Sequence, residues 1–433
     1  MTMPADTSPG EFSRAWSPFQ PEEIANPRRS WQRLSQEPPT WNPQIWPLCP
    51  GAEPNSEVLL LTRQQDLADL YQLDRSAMSL TSYLIPPQPQ PPAERADEFP
   101  HGWWWGGPLI FGTNPWDRRP VHTVVARGLT GAAFNSRSQR FRATATELVK
   151  AVRERGEMEI VRDFSTPYVG RVLGCDLAGL PVEQADLAVQ TCAYDQVNLF
   201  LHSLGLRPMS DTEYGELVDR QAAYGRYLVE LLEQRQADPQ DDAVSDIAQG
   251  FAAGEITLPE AVSAIYHLYA AFDQPKLMIG NVVHHLLERP ERWSELVADR
   301  SLLPAAVEEC FRMLNTQPLL QTRVALEDVE IGGVPVRKGQ MVCPHAGAAN
   351  RDAEAFEDPD AYYPGRPDAR KSMTFSRGAH GCLGTKVARA YLLAALDVMM
   401  DALPGLRLAS DEAPTFALGL FSGVEKLDLR WDV

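Results

Sequence analysis

What this chain lacks narrows its class before any motif is read. Its 433 residues include six cysteines, Cys49, Cys175, Cys192, Cys310, Cys343 and Cys382, scattered without paired spacing. That pattern excludes a disulfide framework and a zinc module, and it fits reduced thiols in a cytoplasm. No run of about 18 apolar residues occurs, so no membrane-spanning helix is expected. No basic leader with an apolar core opens the chain, so export is not expected either. Cations are scarce: 40 Lys and Arg against 58 Asp and Glu leave a net charge of −18. Nucleic acid and anionic membrane surfaces both bind clustered positive charge, and such partners are excluded. No internal repeat is visible.

What is present reads as one mixed, helix-rich unit. Residues 1–15 are polar, with Pro4, Pro9 and Gly10, and are expected to be loose; residues 16–433 are expected to form a single domain. EVLLLTRQQDLADLYQ, from Glu57, predicts a strand running into a helix. Between Leu84 and Pro120 lie clustered prolines and a Gly-flanked Trp103-Trp104-Trp105, a long irregular segment of the kind that forms lids and binding loops. From Val121 to Leu287 the pattern is mainly helical. Beyond Arg323 apolar and polar residues alternate around Gly332-Gly333, which predicts a hairpin.

The stretch Phe375 to Gly384, FSRGAHGCLG, sets Cys382 among glycines directly before a helix-forming run. A thiolate is favoured where backbone N–H groups and the positive end of a helix point at it. Gly378, Gly381 and Gly384 let the backbone turn sharply and pass close to a flat ligand. This is how a haem iron acquires a thiolate. The segment resembles the haem-binding loop of the cytochrome P450 family, with Phe375, Gly378, His380, Cys382 and Gly384 in the expected places. PAAVEECFRML, from Pro304, puts Glu309 and Arg312 on one helix face, and the resemblance implies that both join Arg366 to lock the loop. It also implies that Arg323 and His380 bind haem propionates. WDRRPVHTVVARGLTGAAF is similar to an early haem-contacting helix. There His122 falls where expected, while Ala126 occupies the usual arginine place and Arg127 lies one residue on.

Thr257 and Glu260 form a capping box, and Pro290 ends the helical run. The resemblance makes this the long central helix of the distal haem face. The family's Ala-Gly-x-Asp-Thr-Thr is replaced by Ala270, Ala271, Phe272, Asp273, Gln274 and Pro275. The threonine hydroxyl that helps protonate dioxygen is therefore missing, and Gln274 offers an amide with no readily transferable proton. Pro275 is expected to kink the helix and leave the Ala271 carbonyl exposed. Carried over by position, Asp273 and Gln274 are the catalytic candidates. Tyr266, Tyr269, Ala270, Phe272, Leu319, Gln321, Leu420, Phe421 and the three tryptophans are the substrate candidates. His284 and His285 are adjacent and point in different directions, which is expected of structural histidines.

The resemblance implies a mainly α fold with a smaller β-rich lobe, a haem b cofactor ligated by Cys382, and a cytoplasmic oxidative enzyme. Its substrate would be a small apolar or aromatic molecule, tailored in secondary metabolism by hydroxylation, bond formation or rearrangement. Electrons would come from a separate ferredoxin or flavodoxin-like donor docking near Arg370, Lys371, Arg377, Lys386 and Arg389. Two other readings stand beside it: a peroxide-dependent peroxygenase, and a non-catalytic helper that binds another enzyme.

Overall fold

The apolar run Val58–Leu61 is buried along its whole length because it lies inside a sheet. Thr40–Asn42 pairs with it antiparallel, and Met341–Pro344 pairs parallel, with Leu60 opposite Cys343. Arg323–Ala325 and Met78–Ser79 complete five strands. The structure is a computed structural model that describes the chain apart from residues 1–7, 27, 50, 51, 54, 75, 81–92, 100–118, 196–197, 200–201, 203–206, 271, 411 and 418–420. The helix Gln64–Leu73 follows the strand as expected from Glu57 onward. Its Leu67, Leu70 and Tyr71 cover the sheet together with Ile331, Val336 and Val342. Val329–Ile331 and Val334–Val336 form the expected hairpin. Gly332 and Gly333 have φ of 57° and 78°, the left-handed values that a two-residue turn requires.

The chain divides into two compact units. One comprises Met1–Pro86, Leu277–Cys382 and Arg407–Asp428 and holds the five-stranded sheet. The other comprises Pro87–Lys276, Leu383–Leu406 and Leu429–Val433 and is mainly helical. Its longest helix, Asp211–Ala237, opens on a capping box of Ser210 and Glu213. The helix Thr385–Ala402 lies beside Arg140–Arg153, with Arg142 paired to both Asp397 and Asp401. Among the described residues no helix is long and apolar enough to cross a membrane.

The terminus read as loose through residue 15 is a helix over Glu11–Ala15. The Asn42 amide fastens it by donating to the carbonyls of Ser13 and Trp16. Trp103, Trp104 and Trp105 lie outside the described residues, as does most of the irregular segment around them. Cys49, Cys310 and Cys343 are buried and Cys175 is half-buried. Burial pushes the Cys310 thiol well up. A hydrogen bond with Cys49 and then burial do the same to Cys343.

The helix Leu303–Met313 carries a buried charged network. Arg312 Nε and Nη2 donate to the two Glu309 oxygens at 2.9 and 2.7 Å, and Arg366 Nε lies 3.0 Å from both. The remaining donors go mainly to backbone, with Arg366 Nη1 also 3.3 Å from Asp368 Oδ1. Arg312 Nη1 bonds the carbonyls of Asn350 and Pro359, and Arg366 bonds those of Glu357, Asp358 and Ala361. Removing one member of a buried pair leaves an uncompensated charge and costs about 3–5 kcal/mol. Glu309→Ala is therefore expected to lose about that much unfolding free energy in urea denaturation, or to accumulate as insoluble protein. An unchanged unfolding midpoint would remove the network from the folding account.

Candidate haem-thiolate site

The cysteine loop is built from the charged network outward. Asn350 accepts from the Met373 N–H at 2.7 Å and donates to Thr374 Oγ1 and the Arg312 carbonyl at 2.9 and 3.1 Å. Thr374 Oγ1 in turn donates to the Phe311 carbonyl at 2.7 Å. Phe375 packs edge-on against Phe311, with ring centroids 4.9 Å apart. Beyond it, Ser376 and Gly378 take left-handed φ of 55° and 68°. A Cβ on Gly378 would stand 3.1 Å from the Tyr71 carbonyl oxygen, so only glycine passes there without strain. A single turn, Gly378–His380, leads to Cys382. The Cys382 N–H closes the loop on the Phe375 carbonyl at 2.9 Å.

Cys382 itself is exposed, and three residues on the chain enters the 18-residue helix Thr385–Ala402, with Gly384 at its N-cap. An exposed thiol on a backbone-fixed loop of small residues fits an axial haem ligand. His380 is buried beside it. Of the cationic residues flanking the loop in sequence, Arg370, Lys371 and Lys386 are exposed. Arg377 turns back onto the Arg370 carbonyl.

Two arginines expected to meet propionates each have a carboxylate partner within the protein. Arg323 is fully buried, with Nε and Nη2 each 3.0 Å from the Asp74 carboxylate and Nη1 on the Gln321 carbonyl. Arg127 forms a bidentate pair with Glu255 at 2.9 and 2.6 Å on the surface. A guanidinium fork suits a carboxylate bidentately, and here Asp74 and Glu255 supply one each. His122 is half-buried on the helix Arg119–Leu129. Asp74, at the end of the helix Gln64–Leu73, carries no motif that marks it in the sequence.

The expected single kinked helix is two. The capping box is formed, with Thr257 N–H and Oγ1 on Glu260 at 2.6 and 2.8 Å, and the first helix runs Leu258–Ala270. A turn follows, Phe272 N–H bonding the Tyr269 carbonyl at 2.9 Å. The second helix is Asp273–Leu287. Pro275 sits in its first turn, where a missing N–H leaves no bond unmade, and so it produces a restart in place of a kink. The Ala271 carbonyl lies outside the described residues. Asp273 pairs with Lys276 at 2.8 Å, and the Lys276 ammonium stands 5.3 and 5.8 Å from the ring centroids of Tyr194 and Phe272. The i,i+3 spacing of Asp273 and Lys276 is the sequence signal for this pair.

Of the predicted pocket aromatics, Tyr266, Tyr269 and Phe272 are 2%, 0% and 0% exposed. In this structure they pack inside the helical unit. The Tyr266 hydroxyl donates to the Thr191 carbonyl at 3.3 Å, and the Tyr269 hydroxyl lies against Gly174. Phe272 meets Tyr194 edge-on at 6.2 Å. Leu319 is buried and bridged to His345, while Gln321, Phe421 and Gln274 are half-buried. His285 is structural, 3.0 Å from Glu288 and edge-on to Tyr362. Leu420 lies outside the described residues.

The family model described as Cytochrome P450 matches residues 276–402. The chain is 34% identical over 296 residues to cyclomarin C epoxidase CymV of Salinispora arenicola, covering 66% of this chain and 71% of that protein. It is 33% identical over 327 residues to pentalenic acid synthase of Streptomyces avermitilis, covering 74% and 77%. The structure of epothilone D-bound cytochrome P450epoK superposes with a TM-score of 0.81 at 22% identity, over 96% of this chain and 99% of that one, a likeness of fold. With relatives above 30% identity across more than two thirds of their length, and a loop shaped to present one thiol, the chain belongs to the cytochrome P450 family of haem-thiolate oxidoreductases.

Proposed function

We propose that this protein is a single-domain bacterial monooxygenase that tailors a small apolar or aromatic secondary metabolite, with Cys382 as the axial ligand. The observation that carries the reading is the closed loop Phe375 to Cys382, which fixes the cysteine backbone while leaving its side chain exposed. When bound, haem supplies oxygen activation, and a thiolate ligand favours O–O cleavage. The residues of the chain position and protonate. Gln274 stands where a hydroxyl is usual and can orient a water or a substrate group through its amide, but it does not transfer a proton. Asp273 is held by Lys276, so its carboxylate is already engaged. Protons would then enter through the substrate's own polar groups or through water that Gln274 orients. Gln321 and Phe421 are the substrate contacts this reading retains, and Leu319 supports the same segment.

The epoxidase and the synthase among the relatives are named for different molecules, cyclomarin C and pentalenic acid, and the reaction here is left at oxidation of a natural-product precursor. A ferredoxin or flavodoxin-like donor, attracted to Arg370, Lys371 and Lys386, and a cytoplasmic location complete the proposal. Complementary charge of this kind acts mainly through encounter rate.

Two measurements test it. The reduced, carbon monoxide-treated protein is expected to show the red-shifted Soret band of thiolate ligation, and Cys382→Ala to lose it; a variant retaining the band would exclude Cys382. Gln274→Thr is expected to alter the ratio of product to electrons consumed, since it supplies a transferable hydroxyl proton. Unchanged coupling, product and rate would make the departure at position 274 silent.

A further inference from the structure

Asn281, in the helix Asp273–Leu287, is fully buried, and its amide is saturated by three separate segments. Nδ2 donates to the carbonyls of Leu314 and Ser422 at 3.2 and 3.1 Å. Oδ1 accepts from the Val424 N–H at 3.0 Å and from Arg28 Nη2 at 3.1 Å. A primary amide has two donor hydrogens and two acceptor positions, so its capacity is filled. Ser422 and Val424 belong to the hairpin of Thr415–Phe416 and Val424–Lys426, and Phe421 directly precedes Ser422.

Further contacts bind the same few residues. The Ser422 N–H donates to the Thr316 carbonyl at 2.9 Å, and the Ala417 N–H to the Gly423 carbonyl at 2.7 Å. The Arg28 guanidinium lies 5.4 Å from the ring centroid of Phe416, on the opposite strand. The helix and hairpin backbones approach closely: a Cβ on Gly423 would come 2.5 Å from Leu277, and one on Gly280 3.1 Å from Val424. Arg28 is held here at a cost, since burial lowers its pKa to about 10 against the pull of Glu288.

We propose that Asn281, braced by Arg28, is a positioning residue for substrate selection: it holds residues 422–424 so that Phe421 forms a fixed wall of the substrate site. The inference rests on the reading of Phe421 as a substrate contact. One peptide bond joins Phe421 to Ser422, so a shift of the bonded strand moves the ring with it. Loss of the amide leaves buried carbonyl and N–H groups of Leu314, Ser422 and Val424 without it, and buried groups so deprived draw in water or move.

The test uses the haem-loaded protein and two azole probes, imidazole and phenylimidazole, titrated by optical difference spectra. Imidazole reports the metal alone; phenylimidazole also meets the wall. Asn281→Ala is expected to weaken phenylimidazole about tenfold while leaving imidazole within about twofold, and to raise hydrogen exchange at the Ser422 and Val424 amides. Phe421→Ala is expected to weaken phenylimidazole similarly with exchange at those amides unchanged. If Phe421→Ala changes the discrimination and Asn281→Ala does not, the positioning role is overturned while the substrate contact stands. If Phe421→Ala leaves both probes unchanged, the contact is refuted and the wall with it. Equal weakening of both probes by Asn281→Ala, from a general loss of structure, also overturns the proposal. Should Asn281→Ala fail to retain haem, Asn281→Asp takes its place. It keeps an acceptor for Val424 and Arg28 but loses both donors, and a smaller shift in the same direction is expected, with no shift counting against the role.

Discussion

The carboxylate of Glu309 sits out of water between Arg312 and Arg366, and the loop that presents Cys382 depends on how that charge is answered. Desolvating an ion costs several kcal/mol, recovered only where geometry is good and every remaining donor is satisfied. Both arginines meet that requirement by reaching past Glu309 to backbone carbonyls between Asn350 and Ala361, and the Tyr363 N–H bonds the carboxylate directly. The irregular chain there is shaped by the donors it must satisfy. Asn350 then passes the constraint to Met373 and Thr374. From helix to Thr374 the route is a sequence of hydrogen bonds, and the peptide link to Phe375, whose carbonyl takes the Cys382 N–H, completes it.

What could be read from the residues alone follows from locality. The cysteine loop, the Thr257 capping box, the hairpin at Gly332-Gly333 and the Glu309–Arg312 pair each lie within a short window, where spacing dictates geometry. Arg366 was legible only through resemblance, since nothing local ties it to a helix 57 residues away. What the residues alone did not reveal is long-range or depends on competition. Asp74 takes Arg323 across 249 residues, and Glu255 takes Arg127 across 128. Pattern reading identified two cations suited to carboxylates, but not which carboxylates. The central helix misled for another reason: an apolar run through a proline was read as continuous, when Pro275 is better accommodated at a fresh start.

That restart sets a fixed ion pair beside Gln274. Asp273 heads the second helix, a position favourable for an acid near the positive helix end, and Lys276 closes one turn later between two aromatic rings. An acid fixed by a lysine, followed by an amide and an imino acid, leaves few groups there that exchange protons readily. On the proposed function, protons would then come by way of polar atoms that the bound molecule brings.

The distribution of thiols has a practical side. Cys310 and Cys343 hold their protons more tightly than an ordinary thiol, burial pushes Cys175 up to about 11, and of the described cysteines Cys382 is the exposed one. Alkylating reagents attack the thiolate form. An electrophilic fluorophore applied briefly to freshly translated chain would therefore label Cys382 ahead of Cys49, Cys175, Cys310 and Cys343, and cofactor insertion would block it. Dye incorporation becomes a gauge of how much of a preparation has been loaded, read without any substrate.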